Sequence, residues 1–466
     1  MRKILILTLS IVFLSSFSPA ADSPKISADL KEKLAAGNKD EELQVIIQYN
    51  DAPAAADFDR IKEKGGKIKR GFNAVRGIAA SLSLKEIEEL QSDSRIRSIS
   101  PDRIIRGSMD IADPASGANL VYSNLGYTGK GVTVALIDSG LQPGSSIQPD
   151  RILAYMDMIN ESSVSPGDEF GHGTHIAGII GGSNRTETYH GIAPDVKFVV
   201  LRVLDGAGTG RVSNVIEAVD WVIDNAKLYG IRVINLSLGH PVYESYLTDP
   251  LTQACEKAWM AGISVITSAG NRGRTGNGYW TINSPGNDPY IITVGAMNDF
   301  NTIIRADDNI TTYSSRGPSL GDRVLKPDLV APGNRIVSTL AKSSYVEVNF
   351  AANVKDQDHI ELSGTSMATG VVTGAVSLML QRNPLLSPDQ IKALLMASAD
   401  KLENIDVFAR GAGYLNVPRA ILMIGPYKPV RFNSASPIVI KTEDSFKLIS
   451  PPSVYVAQAL WGDQAL

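Results

Sequence analysis

With 466 residues, the chain is long enough for a large core and an accessory module. Its hydrophobic content of 43%, charged content of 20% and formal net charge of −4 suit an ordinary globular protein and exclude a nucleic-acid partner drawn by bulk positive charge. A single cysteine, Cys255, excludes an internal disulfide framework and a cysteine-rich metal site, leaving packing, hydrogen bonds or bound ions to stabilise the protein outside a cell.

The N-terminus carries Arg2 and Lys3, an apolar run over residues 4–14, and the small residues Ser18, Ala20 and Ala21. This reads as an export signal over residues 1–20, cleaved after Ala20 or Ala21. An uncleaved anchor is the alternative, but the run is short for a bilayer span. The protein is therefore expected to be secreted, to the extracellular space or the periplasm.

Residues 21–109 are rich in Lys and Glu and form short elements. Strands are predicted at 43–49, 68–72, 77–82 and 96–99, with helices at 57–64 and 84–91. Ser83 and Glu86 give the second helix a capping box. The order β-α-β-β-α-β is a split βαβ pattern, a small α+β ferredoxin-like domain.

From residue 110 the texture changes to apolar strands alternating with helices. Runs at 132–137, 196–203, 233–236, 263–267 and 291–294 are apolar nearly throughout, as parallel strands buried on both faces require. Helices are predicted at 213–229 and 246–261. Residues 110–425 thus read as a doubly wound, mostly parallel α/β sheet with its sites at the carboxyl ends of the strands. Cys255 reads as a small buried hydrophobe. Residues 426–466, with Pro426, Pro429, Pro437, Pro451 and Pro452, read as an exposed tail or edge strand.

Four short segments carry chemistry, and each alone has a plainer reading. Asp138 ends a buried strand and is either a site carboxylate or a turn cap. His172, in Gly171-His172-Gly173-Thr174-His175, is either a base or a satisfied core histidine. The His172/His175 pair lacks the following Glu of an H-E-x-x-H metal site. Ser366 precedes the apolar helical run 371–380 and is either an N-cap or a hydroxyl presented at a helix N-terminus. Asn271 is either a turn former or an amide donor to an oxyanion.

Taken in order, Asp138-Ser139-Gly140, His172-Gly173-Thr174-His175, Ser268-Ala269-Gly270-Asn271 and Gly364-Thr365-Ser366-Met367-Ala368 resemble the subtilisin-like serine proteases over residues 110–423. The resemblance implies Ser366 as nucleophile, His172 as base then acid, Asp138 orienting the imidazole, and Asn271 in the oxyanion hole. It implies a substrate-binding cleft lined by Ser237, Leu238, Gly239, Ala269 and Gly270, which takes polypeptides as an added strand. Those walls are uncharged and Asn283 would lie near the pocket floor, so apolar or aromatic residues are expected before the cut bond. Catalysis needs no cofactor on this reading, and the protein is expected to be a monomer. The structural calcium sites of relatives are not legible, because Arg185 occupies loop 183–187 where a ligand would be welcome. The first domain resembles the family's propeptide, an intramolecular inhibitor and folding aid, cleaved within residues 104–110.

Two positions depart from the family pattern. Gly370 stands where proline is common, loosening a helix start by about 1 kcal/mol. Val212 stands where many relatives carry an aromatic residue over the outer cleft. The sedolisin peptidases use a glutamate base and an oxyanion-hole aspartate, so His172 and Asn271 argue against them. A catalytically dead scaffold is disfavoured because all four catalytic positions are intact.

Overall fold

The computed structural model describes residues 25–107, 126–144, 146–160, 165–183, 190–300, 307–425, 434–441 and 446–449. The expected export signal lies outside them, as does most of loop 183–187. The N-terminal unit is an antiparallel sheet with strand order β2-β3-β1-β4. Its strands are β1 (Glu42–Tyr49), β2 (Lys67–Phe72), β3 (Gly77–Ser83) and β4 (Ile96–Pro101). The helices Ala55–Glu63 and Leu84–Leu90 fall where the sequence places them, and a further helix, Ala28–Ala36, precedes β1. The predicted capping box forms: Ser83 Oγ accepts from the Glu86 N–H at 3.3 Å, and Glu86 accepts from the Ser83 N–H at 2.6 Å. Val45, Ile47, Ile78, Leu82, Ile87 and Ile99 form the core of this unit.

β5 (Ile104–Gly107) follows, and the main sheet then opens with β6 (Thr133–Asp138), β7 (Ile152–Asp157) and β8 (Lys197–Arg202). After β9 (Thr209–Arg211) and the helix Val212–Tyr229 come β10 (Ile231–Leu236) and β11 (Leu238–Pro241). β12 (Ser264–Ser268), β13 (Asn283–Ser284), β14 (Ile292–Asn298), β15 (Asn309–Ile310) and β16 (Leu329–Pro332) complete this part. The order across the sheet is β15-β14-β12-β10-β6-β8-β7, with β16 also on β14. Every pairing is parallel except β14 with β15. The predicted apolar runs supply these strands, and β6, β10 and β12 are buried almost throughout.

From β6 the chain goes out to the edge strand β7, returns to β8 beside β6, and then crosses to the other side at β10. The switch point therefore lies between the carboxyl ends of β6 and β10, where open α/β sheets place their sites. Asp138 ends β6, and Ser237 follows β10 directly.

Two helix details differ from the sequence reading. The helix predicted over 246–261 begins later, as Pro250–Met260, because Asp249 caps it through the Leu251 N–H at 2.9 Å and Pro250 occupies its first position. Gly370 does more than loosen a helix start. The helix Thr365–Arg382 packs against His172–Gly181, and a Cβ at Gly370 would lie 3.1 Å from Ile179 Cγ2, so the missing side chain lets the two helices approach closely.

The described part of the C-terminal segment is not an exposed tail. Ser434 and Ser436 are buried, and the Leu325 N–H donates to Pro437 O at 2.8 Å. Ile438–Lys441 pairs with Phe446–Ile449 as a two-stranded ribbon. Ser436 is held by buried Lys392 and Asp328: its Oγ accepts from Lys392 Nζ at 3.0 Å and donates to Asp328 at 2.5 Å, and buried Lys326 in turn donates to Asp328 at 2.7 Å.

Candidate active site

Asp138, His172 and Ser366 come from three elements and converge on the switch point, all fully buried. Asp138 Oδ1 accepts from its neighbour's N–H, Ser139, at 2.8 Å and lies 2.7 Å from His172 Nδ1. Since a carboxylate oxygen only accepts, Nδ1 carries the proton and Nε2 is left as the free basic nitrogen. Nε2 is buried and has no hydrogen-bond partner among the described residues. Ser366 Oγ instead donates to Ser237 O at 3.0 Å.

The local sequence explains why His172 is held so firmly. It is the first residue of the helix His172–Gly181, whose N-cap Gly171 has φ +96° and no side chain to cap with. A Cβ there would meet Ser344 Oγ at 2.6 Å, so only glycine fits. Asp168 supplies the cap from outside, accepting from the Gly171 N–H at 2.7 Å, the Thr174 N–H at 2.8 Å and Thr174 Oγ1 at 2.7 Å. Ser139 Oγ accepts from the Gly173 N–H at 2.9 Å, tying the helix start to the residue after Asp138.

Ser366 is the second residue of the helix Thr365–Arg382, so its backbone N–H has no carbonyl within the helix to bond. Beside it, Asn271 Oδ1 accepts from the Thr365 N–H at 3.0 Å and from Thr365 Oγ1 at 2.9 Å. Two donors on one oxygen fix the orientation of the amide. Its Nδ2 is buried without a hydrogen-bond partner among the described residues. An unspent donor beside a serine at a helix N-terminus is what a site for a developing oxyanion requires. Thr365 itself was missed by sequence reasoning, which saw only a helix start.

Leu238 and Gly239 open β11, and Ala269 and Gly270 follow β12. A Cβ at Gly270 would lie 2.8 Å from Asn283 Cγ, which puts Asn283 against that wall. One side of β11 is taken by another strand of the chain. β5 lies between β11 and β9 in a four-stranded sheet of order β13-β11-β5-β9, antiparallel to both neighbours. Leu238 pairs with Gly107 and Gly239 with Arg106. A Cβ at Gly107 would lie 3.6 Å from His172 Nδ1, so the occupying strand reaches the imidazole. Ile105 of β5 is fully buried.

Residues 129–414 match the subtilase family. The chain belongs to this family. It is 36% identical over 394 residues to serine protease AprX of Bacillus subtilis (strain 168), an alignment covering 81% of this chain and 88% of that protein. Subtilisin E from the same organism is 32% identical over 429 residues, covering 89% of this chain and 97% of its own length. Fervidolysin from Fervidobacterium pennivorans, described as a keratinolytic enzyme related to subtilisin, superposes with a TM-score of 0.65 at 22% identity. That match covers 83% of this chain and 61% of the fervidolysin chain, and at this identity it shows the fold alone. The protein is thus a subtilisin-type serine endopeptidase, a hydrolase of polypeptides.

Among the described residues, no group of three or more His, Cys, Asp or Glu is placed to hold a metal ion, and no helix is long and apolar enough to cross a membrane. The possible histidine metal pair resolves differently: His175 Nε2 lies 3.1 Å from two backbone carbonyls, of Ile336 and Ile360, and is spent on them. Cys255 is buried, and burial raises its thiol well above the ordinary range.

Proposed function

We propose that the chain is made as a secreted, self-processing zymogen, in which residues 21–109 form a propeptide and Asp138, His172 and Ser366 form the catalytic triad. The observation that carries this reading is β5 lying as an inner strand between β11 and β9, with Gly107 against His172. An extended polypeptide already sits where a substrate strand would add, and it is the end of the N-terminal unit.

Further contacts support a docked inhibitor. Asp220 of the helix Val212–Tyr229 accepts from the Asn73 and Ala74 N–H groups at 2.9 and 2.7 Å. Asp102 accepts from the Ser213 N–H at 2.9 Å, serving as the cap that Arg211 does not provide. Arg103 is buried between Glu244 at 2.6 Å and Asp29 at 3.0 Å.

The mechanism follows from the groups and their hydrogen bonds. Ser366 Oγ rotates from Ser237 O toward His172 Nε2, gives up its proton and forms a bond to the scissile carbonyl carbon. The carbonyl oxygen takes the electron pair and meets Asn271 Nδ2 and the Ser366 N–H. Asp138 stabilises the imidazolium, which then protonates the leaving amine. Water repeats the sequence on the acyl-enzyme and frees Ser366. Each step uses protein groups and water.

Hydrolysis of unfolded casein by the processed protein, compared with Ser366→Ala, tests this assignment. Wild type should digest casein and the variant should not. Equal digestion by both would remove Ser366 from the mechanism.

A further inference from the structure

We propose that His175 is a positioning residue that fixes the general base relative to the nucleophile, taking the triad assignment above as its premise. In this structure no direct bond joins the two reacting groups: Ser366 Oγ faces Ser237 O, and His172 Nε2 has no partner among the described residues. Their separation is therefore set by the elements that carry them, and His175 links those elements.

His175 lies one turn after His172 on the same helix and is fully buried. The carbonyls of Ile336 and Ile360 both lie 3.1 Å from its Nε2, and a carbonyl oxygen only accepts. The Nε2–H is thus shared between them, and Nδ1 is the unprotonated nitrogen, buried without a hydrogen-bond partner among the described residues. The two carbonyls belong to β17 (Ile336–Thr339) and β18 (His359–Leu362), which pair antiparallel. A second tie runs the other way, from Ser338 Oγ on β17 to the His175 carbonyl at 2.8 Å.

β18 leads directly into Ser363, Gly364, Thr365 and Ser366. That connector is pinned to the approach to β17: the Arg335 N–H donates to Ser363 Oγ at 2.7 Å, and the Gly364 N–H donates to Gly333 O at 2.8 Å. One side chain at the start of the base helix therefore grips the ribbon from which the nucleophile segment is hung. Burial, with His172 and His359 nearby, drops the His175 imidazole to about 3. It stays neutral while the enzyme works and keeps a single N–H for this task.

The test uses His175→Phe, which keeps a ring and deletes the donor, and His175→Gln, which restores a side-chain N–H. Turnover is counted per active site titrated with an irreversible serine reagent. Because a displacement of about 1 Å at reacting groups costs up to about 10²-fold, kcat per titrated site should fall at least about tenfold in His175→Phe. KM should stay within about twofold, since substrate binding is not what is lost. His175→Gln should recover most of kcat. Wild-type kcat per titrated site in His175→Phe, with only its melting temperature lowered, overturns the proposal and leaves His175 a packing residue. If His175→Phe does not fold, Ser338→Ala removes the second tie and keeps the ring. A smaller fall in kcat at unchanged KM then supports the proposal, and unchanged kcat overturns it. If wild-type activity proves independent of Ser366, the triad reading falls, and this proposal with it.

Discussion

Asn271 is the residue at which a catalytic role and a turn-forming role make different numerical demands. In the ground state the scissile carbonyl is neutral, and a bond from Nδ2 gains little. In the tetrahedral intermediate the same oxygen carries a full negative charge inside a buried cleft, so the donor acts on kcat rather than KM. Asn271→Leu keeps the volume and deletes the donor, and kcat should fall by about 10²–10³. A variant with wild-type kcat, or one defective only in KM, would take Asn271 out of the oxyanion site. Asp138, His172, Asn271 and Ser366 could be singled out from the sequence because each sits in a short motif of small residues whose order along the chain resembles the family's. Thr365 could not, since its role depends on Asn271, a residue 94 positions away, and not on its own neighbours. Asp168 was equally hidden. Its carboxylate reads as one loop acid among many until Gly171 is seen to need a cap from elsewhere.

Among the elements, the helix Pro250–Met260 carries an acid pair that ties stability to pH. Glu256 is partly buried beside Asp288, and desolvation first, then the Asp288 charge, raises its carboxyl from 4.5 to about 9. The native state thus holds a proton that the unfolded chain releases above about 4.5. The contribution is fully present below that value and is lost as pH rises toward 9. Glu256→Gln should therefore flatten the fall in melting temperature across this window, measured in a Ser366→Ala background to prevent self-digestion. Identical pH dependence with and without Glu256 would refute the linkage. At this scale the parallel strands were the most legible elements, because burial on both faces writes a continuous apolar run into the sequence. The start of the 250–260 helix was misplaced, although Asp249-Pro250 carried the signal of a cap followed by a first-turn proline. The contact of Gly370 with Ile179 was beyond reach, since a sequence shows an absent side chain but not the neighbour that takes its space.

At the scale of the whole molecule, the N-terminal unit packs against the rest of the described chain through β5 and through several side-chain contacts. β5 joins β11, which follows β10, and β9, in a sheet of its own beside the main one. Arg103, Asp102 and the Asn73–Ala74 turn extend that contact over the helix Val212–Tyr229 and the segment before Pro250. The change of texture near residue 110 was visible in the sequence, and a propeptide role for the first part is the reading proposed from the motifs of the second. The docking of Ser434 and Ser436 was not visible, because a proline-rich stretch gives no sign of the buried Lys326, Lys392 and Asp328 that receive it. A strand of the chain's own N-terminal unit lying against His172 makes self-cleavage the central claim. The most direct measurement is the intact mass of wild type and Ser366→Ala, each purified from a protease-free host. Wild type should appear as two fragments divided within residues 104–110, and Ser366→Ala as one uncut chain. A Ser366→Ala protein divided at the same place would contradict self-processing by this site.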